Sequence, residues 1–190
     1  MTSRELLNIL HVAERLKDAT RHCETSGGRR ESVADHSWRL ALMALFLRDA
    51  FPGVDMDKVI RMCLVHDLGE AFTGDIPSFL KTEADEQREE DLLGAWVRSL
   101  PAPYAEELGA LYAEMAARET TEARIYKALD GLEAVVQHNE SDLASWTENE
   151  YALNLAYAAD RCEPFPPLKA LRQAIREDTE KKLRDGGVDF

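Results

Sequence analysis

The 190-residue chain carries 36 acidic and 23 basic residues, which gives a formal net charge of −13 at pH 7. That charge disfavours nucleic-acid polymers as partners, because binding them requires lysine and arginine to neutralise phosphates. The length fits one domain whose core needs no disulfide bonds. Three dispersed cysteines predict a reducing, cytoplasmic location, and Cys63, within an apolar helical pattern, is predicted to be buried.

Residues 1–17 alternate charges with leucines and contain no continuous apolar stretch. We therefore expect neither a signal peptide nor a membrane span. Apolar residues at helical spacing predict a first helix: Leu6, Ile9, Leu10, Ala13 and Leu16. Gly27 and Gly28 then interrupt the pattern, so residues 18–34 are predicted to form a loop.

Basic residues concentrate between Arg15 and Arg30, where five cations accompany two acidic residues. In so acidic a chain, a local excess of positive charge is typical either of a solvated loop or of a site for a small anion. Charge alone leaves both interpretations open.

Helical periodicity runs through most of the remaining chain, and strand patterns are almost absent. Asp35 is predicted to cap a second helix that ends near Phe51, and Asp55 a third that ends near Gly69. A loop at residues 74–77 follows. Prolines separate the further predicted helices: 84–100, 103–118, 121–139, 147–162 and 167–184. The pattern predicts an all-α, single-domain helical bundle over residues 1–190.

Two histidines lie on the apolar faces of neighbouring predicted helices. His36 shares its face with Leu40, and His66 shares its face with Met62. Either histidine alone is more often an ordinary core residue, hydrogen-bonded to backbone or to a carboxylate. Together, and with Asp67 following His66, they are equally compatible with a metal site.

Metal chemistry would explain these residue types, because imidazole and carboxylate together suit Mn²⁺, Fe²⁺, Co²⁺, Ni²⁺ or Zn²⁺. Glu70 follows His66 by four residues, so a continuing helical turn places both on one side. A carboxylate there can orient or deprotonate a water molecule. The alternative for Glu70 is a solvated acid at a helix end.

Two segments are distinctive: E-S-V-A-D-H-S at 31–37 and V-H-D-L-G-E-A-F-T-G-D-I-P at 65–77. They closely resemble the HD-domain phosphohydrolases, above all the branch of YfbR-type 5′-deoxynucleotidases. L-K-D-A-T-R at 16–21 and K-A-L-D-G-L-E at 127–133 extend the resemblance over most of residues 6–140, the expected metal-site core, with C-terminal helices at 147–184. The ordered pattern of a histidine, a His-Asp pair and a later aspartate (H…HD…D) is specific to this family, whereas a His-Asp dipeptide alone is weak evidence.

The resemblance implies an HD-type helical bundle with one divalent transition metal per chain. It implies four ligands: His36, His66, Asp67 and Asp130. It further implies that Glu70 and Asp75 manage the attacking water and the leaving-group proton, and that Arg21 holds the substrate phosphate. Lys81 is assigned to substrate binding on a looser match.

Asp130 cannot be assigned from periodicity, which places it opposite the apolar stripe of its helix, as for a surface acid. Ala123, Gly131 and Ala134 leave few large polar groups on that side, so this helix is predicted to be buried all round. Asp130 is assigned as a metal ligand from the family resemblance, not from periodicity.

His22 departs from the family pattern, because YfbR-type enzymes carry a large aromatic residue after the arginine, associated with sensing the sugar. We assign His22 to substrate binding and leave the choice between deoxyribose and ribose open. The expected activity is hydrolysis of nucleoside 5′-monophosphates. The alternatives are another HD chemistry, acting on nucleoside triphosphates, cyclic nucleotides or alarmones, and a non-catalytic helical module stabilised by metal.

The expected partners are a small nucleotide and a second copy of the chain, with no membrane. The resemblance implies a homodimer. Trp146 and Tyr151, which are predicted to be exposed, are candidates for its interface.

Overall fold

The computed structural model describes residues 1–77 and 80–190. Helices dominate this part of the chain, and its strands form one small antiparallel pair. The helices are α1 Ser3–Glu14, α2 Val33–Phe46, α3 Met56–Val65, α4 Glu70–Thr73, α5 Glu83–Arg98, α6 Tyr104–Ala117, α7 Thr121–Glu140, α8 Glu148–Ala156, α9 Ala159–Cys162 and α10 Pro166–Asp185. The predicted all-α, single-domain bundle is confirmed.

The centre of the core is formed by α2, α3 and α7, which pack pairwise against one another. Leu40, Met62 and Leu129, one from each helix, are fully buried. Burying such a side chain contributes about 1.5–3 kcal/mol, so the burial of these three stabilises the packing of the helices. Cys63 is also fully buried, as predicted. Side chains that project from these helices are therefore held on a rigid support.

Buried residues occur around the whole circumference of α7, as predicted from its small residues. Ala123, Ile125 and Tyr126 are buried near its beginning, and Gly131 and Gln137 further along. Other elements pack on its several sides, among them α2, α3, α6, α9 and α10. A polar side chain in the middle of this helix can consequently lie in or near the protein interior even when it is opposite the main apolar stripe.

The segment predicted as a loop at 18–34 instead contains a β-hairpin. Strand β1, Thr20–Glu24, pairs antiparallel with β2, Arg30–Ser32. Gly28, at φ +77°, forms part of the turn, in a conformation that glycine adopts without strain. Gln137 Nε2 donates to the Glu24 carbonyl over 2.6 Å, which fixes the hairpin against α7. The strands are too short to give an alternating pattern, so periodicity missed them.

Several predicted helix boundaries shift. The N-cap of α2 is Ser32, and Asp35 is the third helical residue that bonds back to it in a capping box. Asp55 does cap α3, accepting from Lys58 N over 2.9 Å. The third helix ends at Val65, with the short α4 starting at Glu70, and the helix predicted at 147–162 is broken by Ala158 in a left-handed conformation.

The C-terminal helix α10 packs on α7 and α8, with Leu168 and Leu183 fully buried. Trp146 was predicted to be exposed, and this is wrong. The residue is only 7% exposed, and its buried indole N–H donates to the His138 carbonyl over 3.0 Å and to Ser141 Oγ over 2.9 Å. Within the described ranges, no helix is both long and apolar enough to cross a bilayer.

Candidate metal centre and pocket

Four side chains from the core helices converge at one point. His36 projects from α2, Asp130 projects from α7, and His66 and Asp67 follow the end of α3. His36 Nε2 lies 3.2 Å from both His66 Nε2 and Asp130 Oδ1. His66 Nε2 lies 2.9 Å from Asp67 Oδ2. The fold thus brings together two imidazoles and two carboxylates from three regions of the sequence.

The other nitrogen of each imidazole has an acceptor. His66 Nδ1 donates to the Cys63 carbonyl over 2.9 Å, and His36 Nδ1 donates to the carboxylate of Glu133. In neutral rings the protons then reside on Nδ1, so both Nε2 lone pairs face each other and the two carboxylates. Lone pairs and anionic oxygens repel one another unless a cation or protons lie between them. This donor set fits a divalent metal ion.

Protons and a metal ion compete for this cluster. Burial opposes charge on His66, but Asp67 and Asp130 outweigh it and raise the pKa of the imidazole to about 10. Burial alone would raise the pKa of Asp67, whereas the neighbouring His66 imidazole lowers it to about 2. Metal uptake by such a cluster must release protons and weakens as the pH falls.

Glu70 opens α4 and is 7% exposed. Its Oε2 has no hydrogen-bond partner among the described residues. Burial, together with the charges of Asp67 and Asp75, raises the pKa of Glu70 to about 9. Asp75 follows α4, and burial raises its pKa as well. Two carboxyl groups with raised pKa values beside an open pocket are suited to proton transfer.

Arg21 lies on β1 and faces the same cluster. Its Nε donates to Glu31 Oε2 over 3.0 Å, and its Nη1 lies 3.7 Å from Asp67 Oδ2. Cys23 Sγ donates to the same Glu31 oxygen over 3.2 Å. The hairpin therefore holds the guanidinium in place by one edge, and the rest of its five donors can face an anion.

Sequence reasoning missed two buried carboxylates, Glu31 and Glu133, which are 1% and 0% exposed. Glu133 accepts from His36 and also from Arg39 Nε, over 2.6 Å. Both acids lie in segments that carry the family resemblance, but periodicity treats a lone acid as a surface residue. The available signal for Glu133 was its position three residues after Asp130, on the same side of α7.

His22, next to Arg21 on β1, lines the pocket beside this cluster. Its Nε2 lies 3.1 Å from Glu150 Oε1, and His138 Nε2 lies 3.0 Å from the same oxygen. Glu150 belongs to α8, so one carboxylate links the hairpin, α7 and α8. The C-terminal helices thereby form part of the pocket wall.

The pocket has a volume of about 260 Å³. All the predicted site residues except the two histidine ligands line it: Arg21, His22, Asp67, Glu70, Asp75, Lys81 and Asp130. Lys81 Nζ is paired with Glu89 Oε2 at 2.8 Å. Lys127, for which the sequence suggested no role, also lines the pocket and donates to Asp130 Oδ2 over 2.7 Å. Cationic and acidic side chains therefore both line this cavity.

Buried imidazole and carboxylate donors are the ligands with which hydrolases hold a catalytic metal, and cations in the pocket wall suit a phosphate group. The fold and the pocket together define a metal-dependent phosphohydrolase. The model of the HD domain family matches residues 13–165. The chain belongs to this family.

Similar proteins extend the likeness over most of the chain. The 5′-deoxynucleotidase HDDC2 of Homo sapiens is 32% identical over 142 residues, which cover 73% of this chain and 69% of that protein. Its namesake from Dictyostelium discoideum is 30% identical over 158 residues, or 78% and 83% of the two chains. A solved structure of a "predicted metal-dependent phosphohydrolase" from Magnetospirillum magnetotacticum MS-1 is 28% identical, with a TM-score of 0.80 and coverage of 98% and 95%.

Proposed function

We propose that this protein hydrolyses deoxynucleoside or nucleoside 5′-monophosphates to nucleoside and phosphate. One observation carries the proposal: the His36, His66, Asp67 and Asp130 cluster adjoins Glu70 and Arg21 in one pocket. A metal site, a proton-transfer group and an anion-binding group are the parts that phosphomonoester hydrolysis needs. The two relatives named 5′-deoxynucleotidases support a nucleotide as the substrate.

The four clustered side chains hold one divalent cation per chain, Mn²⁺, Fe²⁺, Co²⁺, Ni²⁺ or Zn²⁺. When bound, that cation supplies Lewis-acid polarisation of the phosphoryl group and lowers the pKa of water. Glu133 and the Cys63 carbonyl orient the two imidazoles so that both present Nε2. Such supporting contacts also raise the basicity of the ligands.

Glu70 accepts the proton of the attacking water. Its buried Oε2 lacks a protein partner among the described residues, and a buried carboxyl oxygen in this position is normally satisfied by water or a ligand. Asp75, on the same pocket wall, donates a proton to the leaving 5′-oxygen. Both groups lie in surroundings that raise their pKa. A raised pKa suits proton donation by Asp75, whereas Glu70 must be ionised to accept a proton, and the positive charge of a bound divalent cation would favour that form.

Arg21 binds the phosphate and neutralises charge that develops in the transition state. Lys81, six residues after Asp75, contributes a second positive charge to the pocket, and Glu89 holds its ammonium group. His22 contacts the sugar side of the nucleotide. These three assignments rest on the pocket they share and on the contacts that position them.

Phosphate release from a panel of nucleotides with added Mn²⁺ or Co²⁺ tests the proposed function. The panel contains dAMP, AMP, dATP, cyclic AMP and a guanosine alarmone, so that it separates the possible HD chemistries. We expect release from the 5′-monophosphates. Preferential turnover of another class would replace the substrate assignment, and no turnover of any compound would leave only a metal-stabilised helical module.

Arg21→Ala is expected to lower kcat/KM for every 5′-monophosphate alike, by roughly 10- to 150-fold, the value of one charge-assisted hydrogen bond. Steady-state kinetics on dAMP and dTMP measure it. The substitution also deprives buried Glu31 of its ion pair, so thermal unfolding is followed in parallel, and Arg21→Lys retains the charge. Arg29→Ala, at an exposed position of the same hairpin, is the matched control. Equal kinetics for Arg21→Ala and Arg29→Ala would exclude a phosphate contact.

His22→Trp is expected to increase the preference for dAMP over AMP by roughly 2- to 10-fold, the value of one neutral hydrogen bond. An imidazole is smaller than an indole and tolerates or contacts a 2′-hydroxyl that the larger ring excludes. The ratio of kcat/KM values for the two substrates is measured in the wild type and the variant. His11→Trp, on an exposed position of α1, is the control. A wild type that already rejects AMP strongly, and a variant no different from it, would show that His22 plays no part in sugar choice.

A homodimer in the cytoplasm completes the proposal. Its interface is better sought on α2 than near the buried Trp146, because Trp38 and Phe46 are 64% and 80% exposed. Exposed aromatic groups of this size favour association. Molar mass from light scattering, for the wild type and for Phe46→Asp, measures it. Three buried, unpaired cysteines are consistent with a reducing compartment.

A further inference from the structure

A separate cleft shares Lys127 with the catalytic pocket. It is lined by four cationic side chains, one acidic side chain and a proline: Arg118, Arg124, Lys127, Arg161, Asp160 and Pro164. Its volume is about 240 Å³. Such a concentration of positive charge is unexpected in a chain of net charge −13.

Three of these cations have no carboxylate partner in the described part of the chain. Among residues 1–77 and 80–190, no carboxylate oxygen lies within 4.0 Å of a side-chain nitrogen of Arg118, Arg124 or Arg161. Arg161 Nη1 is buried and lacks any hydrogen-bond partner in the same part of the chain. Buried donors are nearly always satisfied by a protein group, an ordered water or a ligand, so this nitrogen remains a donor for a water or for an anion.

Aromatic rings hold two of the guanidinium groups in place. Arg124 Cζ lies 5.5 Å from the centre of the Phe165 ring, and Arg161 Cζ lies 5.2 Å from that of Tyr157. Stacked guanidinium groups keep their donors free at the edges and lose less conformational entropy when an anion binds. The cleft is therefore ordered before any ligand arrives.

Arg118 occupies a left-handed backbone position, at φ +54°, directly after α6. Glycine is the usual residue there because a side chain makes this conformation costly. The backbone thus gives no reason for an arginine. The exposed guanidinium of Arg118 nevertheless lines the cleft.

From these observations we propose that the cleft binds a small anion with a diphosphate group, at a site separate from the catalytic pocket. A cleft of about 240 Å³ has room for the nine bonded heavy atoms of a diphosphate. Three unpaired guanidinium groups match three negative charges. The overall charge of the protein disfavours an extended nucleic acid as the occupant.

Lys127 forms a wall common to this cleft and the catalytic pocket, where its ammonium group donates to Asp130. An anion in the cleft would therefore lie one side chain away from the catalytic cluster. The anion site itself does not depend on the proposed nucleotidase activity, since its cations are not those assigned to substrate.

Isothermal titration of the full-length protein with inorganic diphosphate tests the proposal, with phosphate and ADP as further probes. Diphosphate should bind at least about 10-fold more weakly to Arg118→Gln/Arg124→Gln, which removes two exposed cations. Arg176→Gln, on the exposed face of α10, should bind as the wild type does. Binding should also persist in Arg21→Ala. Metal content is measured before and after titration, because diphosphate chelates metals.

Each outcome decides the matter. Loss of binding in the double variant with retention in Arg21→Ala supports the cleft. Loss in Arg21→Ala with retention in the double variant would assign the anion to the catalytic pocket and overturn the proposal, as would equal binding in all variants or none in the wild type. Tighter binding of ADP than of diphosphate, abolished by the double substitution, would identify a nucleotide as the source of the diphosphate group. These titrations remain informative even if no nucleotide is hydrolysed.

Discussion

His66→Ala and Asp67→Ala should each abolish metal binding and, with it, phosphate release. The wild type is expected to hold about one divalent cation per chain. Removing one of four ligands leaves a distorted and much weaker site, since even supporting residues change metal affinity by about 10- to 100-fold. Metal content measured by mass spectrometry after dialysis, together with turnover of dAMP, gives the result directly.

Two exposed residues provide matched controls, His11→Ala on α1 and Asp57→Ala on α3. Both should keep the metal and the activity. Circular dichroism verifies that the ligand variants remain helical, because the four clustered groups also carry charges that the fold must accommodate. Unchanged metal stoichiometry in both His66→Ala and Asp67→Ala would remove the metal-site assignment.

Glu70→Ala should retain the metal and bind nucleotide while losing most of its turnover. General acid–base assistance contributes about 10²- to 10⁴-fold to the rate. We therefore expect kcat to fall by a factor within or above that range, with KM little changed. Glu70→Gln keeps the shape of the side chain and removes its ability to accept a proton. It should lose as much activity as the alanine variant.

The comparison with Glu119→Gln, an exposed acid between α6 and α7, controls for the loss of one negative charge. Turnover in Glu70→Gln close to that of Glu119→Gln would show that Glu70 is only a buried structural acid. A fall in metal content in the Glu70 variants would instead assign it to metal binding.

The sequence was most informative where chemistry and periodicity agreed. His36 and His66 lie on apolar helix faces, and the structure buries both side chains, to 0% and 3% exposure. Cys63 on the same face as His66 is buried as well. A spacing of three or four residues on a helix is a local property, so it can be predicted without knowing what packs against the helix.

Other features depend on contacts distant in sequence. Asp130 lies opposite the main apolar stripe of α7, and its place beside His36 follows only from the packing of α2 against α7. Glu31 and Glu133 are buried by the partners that neutralise them, Arg21 and Arg39. Hydrophobic periodicity does not distinguish such an acid from a solvated one. The hairpin at 20–32 was missed for a similar reason, since its strands gain stability from α7.

Gly131, the residue after Asp130, has a consequence for how this protein can vary. A Cβ there would come within 2.6 Å of the Ala158 Cβ and 3.3 Å of Arg161 Nη1, so the left-handed turn before α9 rests directly on the helix that carries Asp130. Any side chain at 131 would separate the two and disturb the position of the neighbouring carboxylate. The segment after residue 140 therefore cannot be replaced without regard to α7, because its turn at Ala158 packs against Gly131. Changes at its turn and changes at the centre of α7 have to be made together.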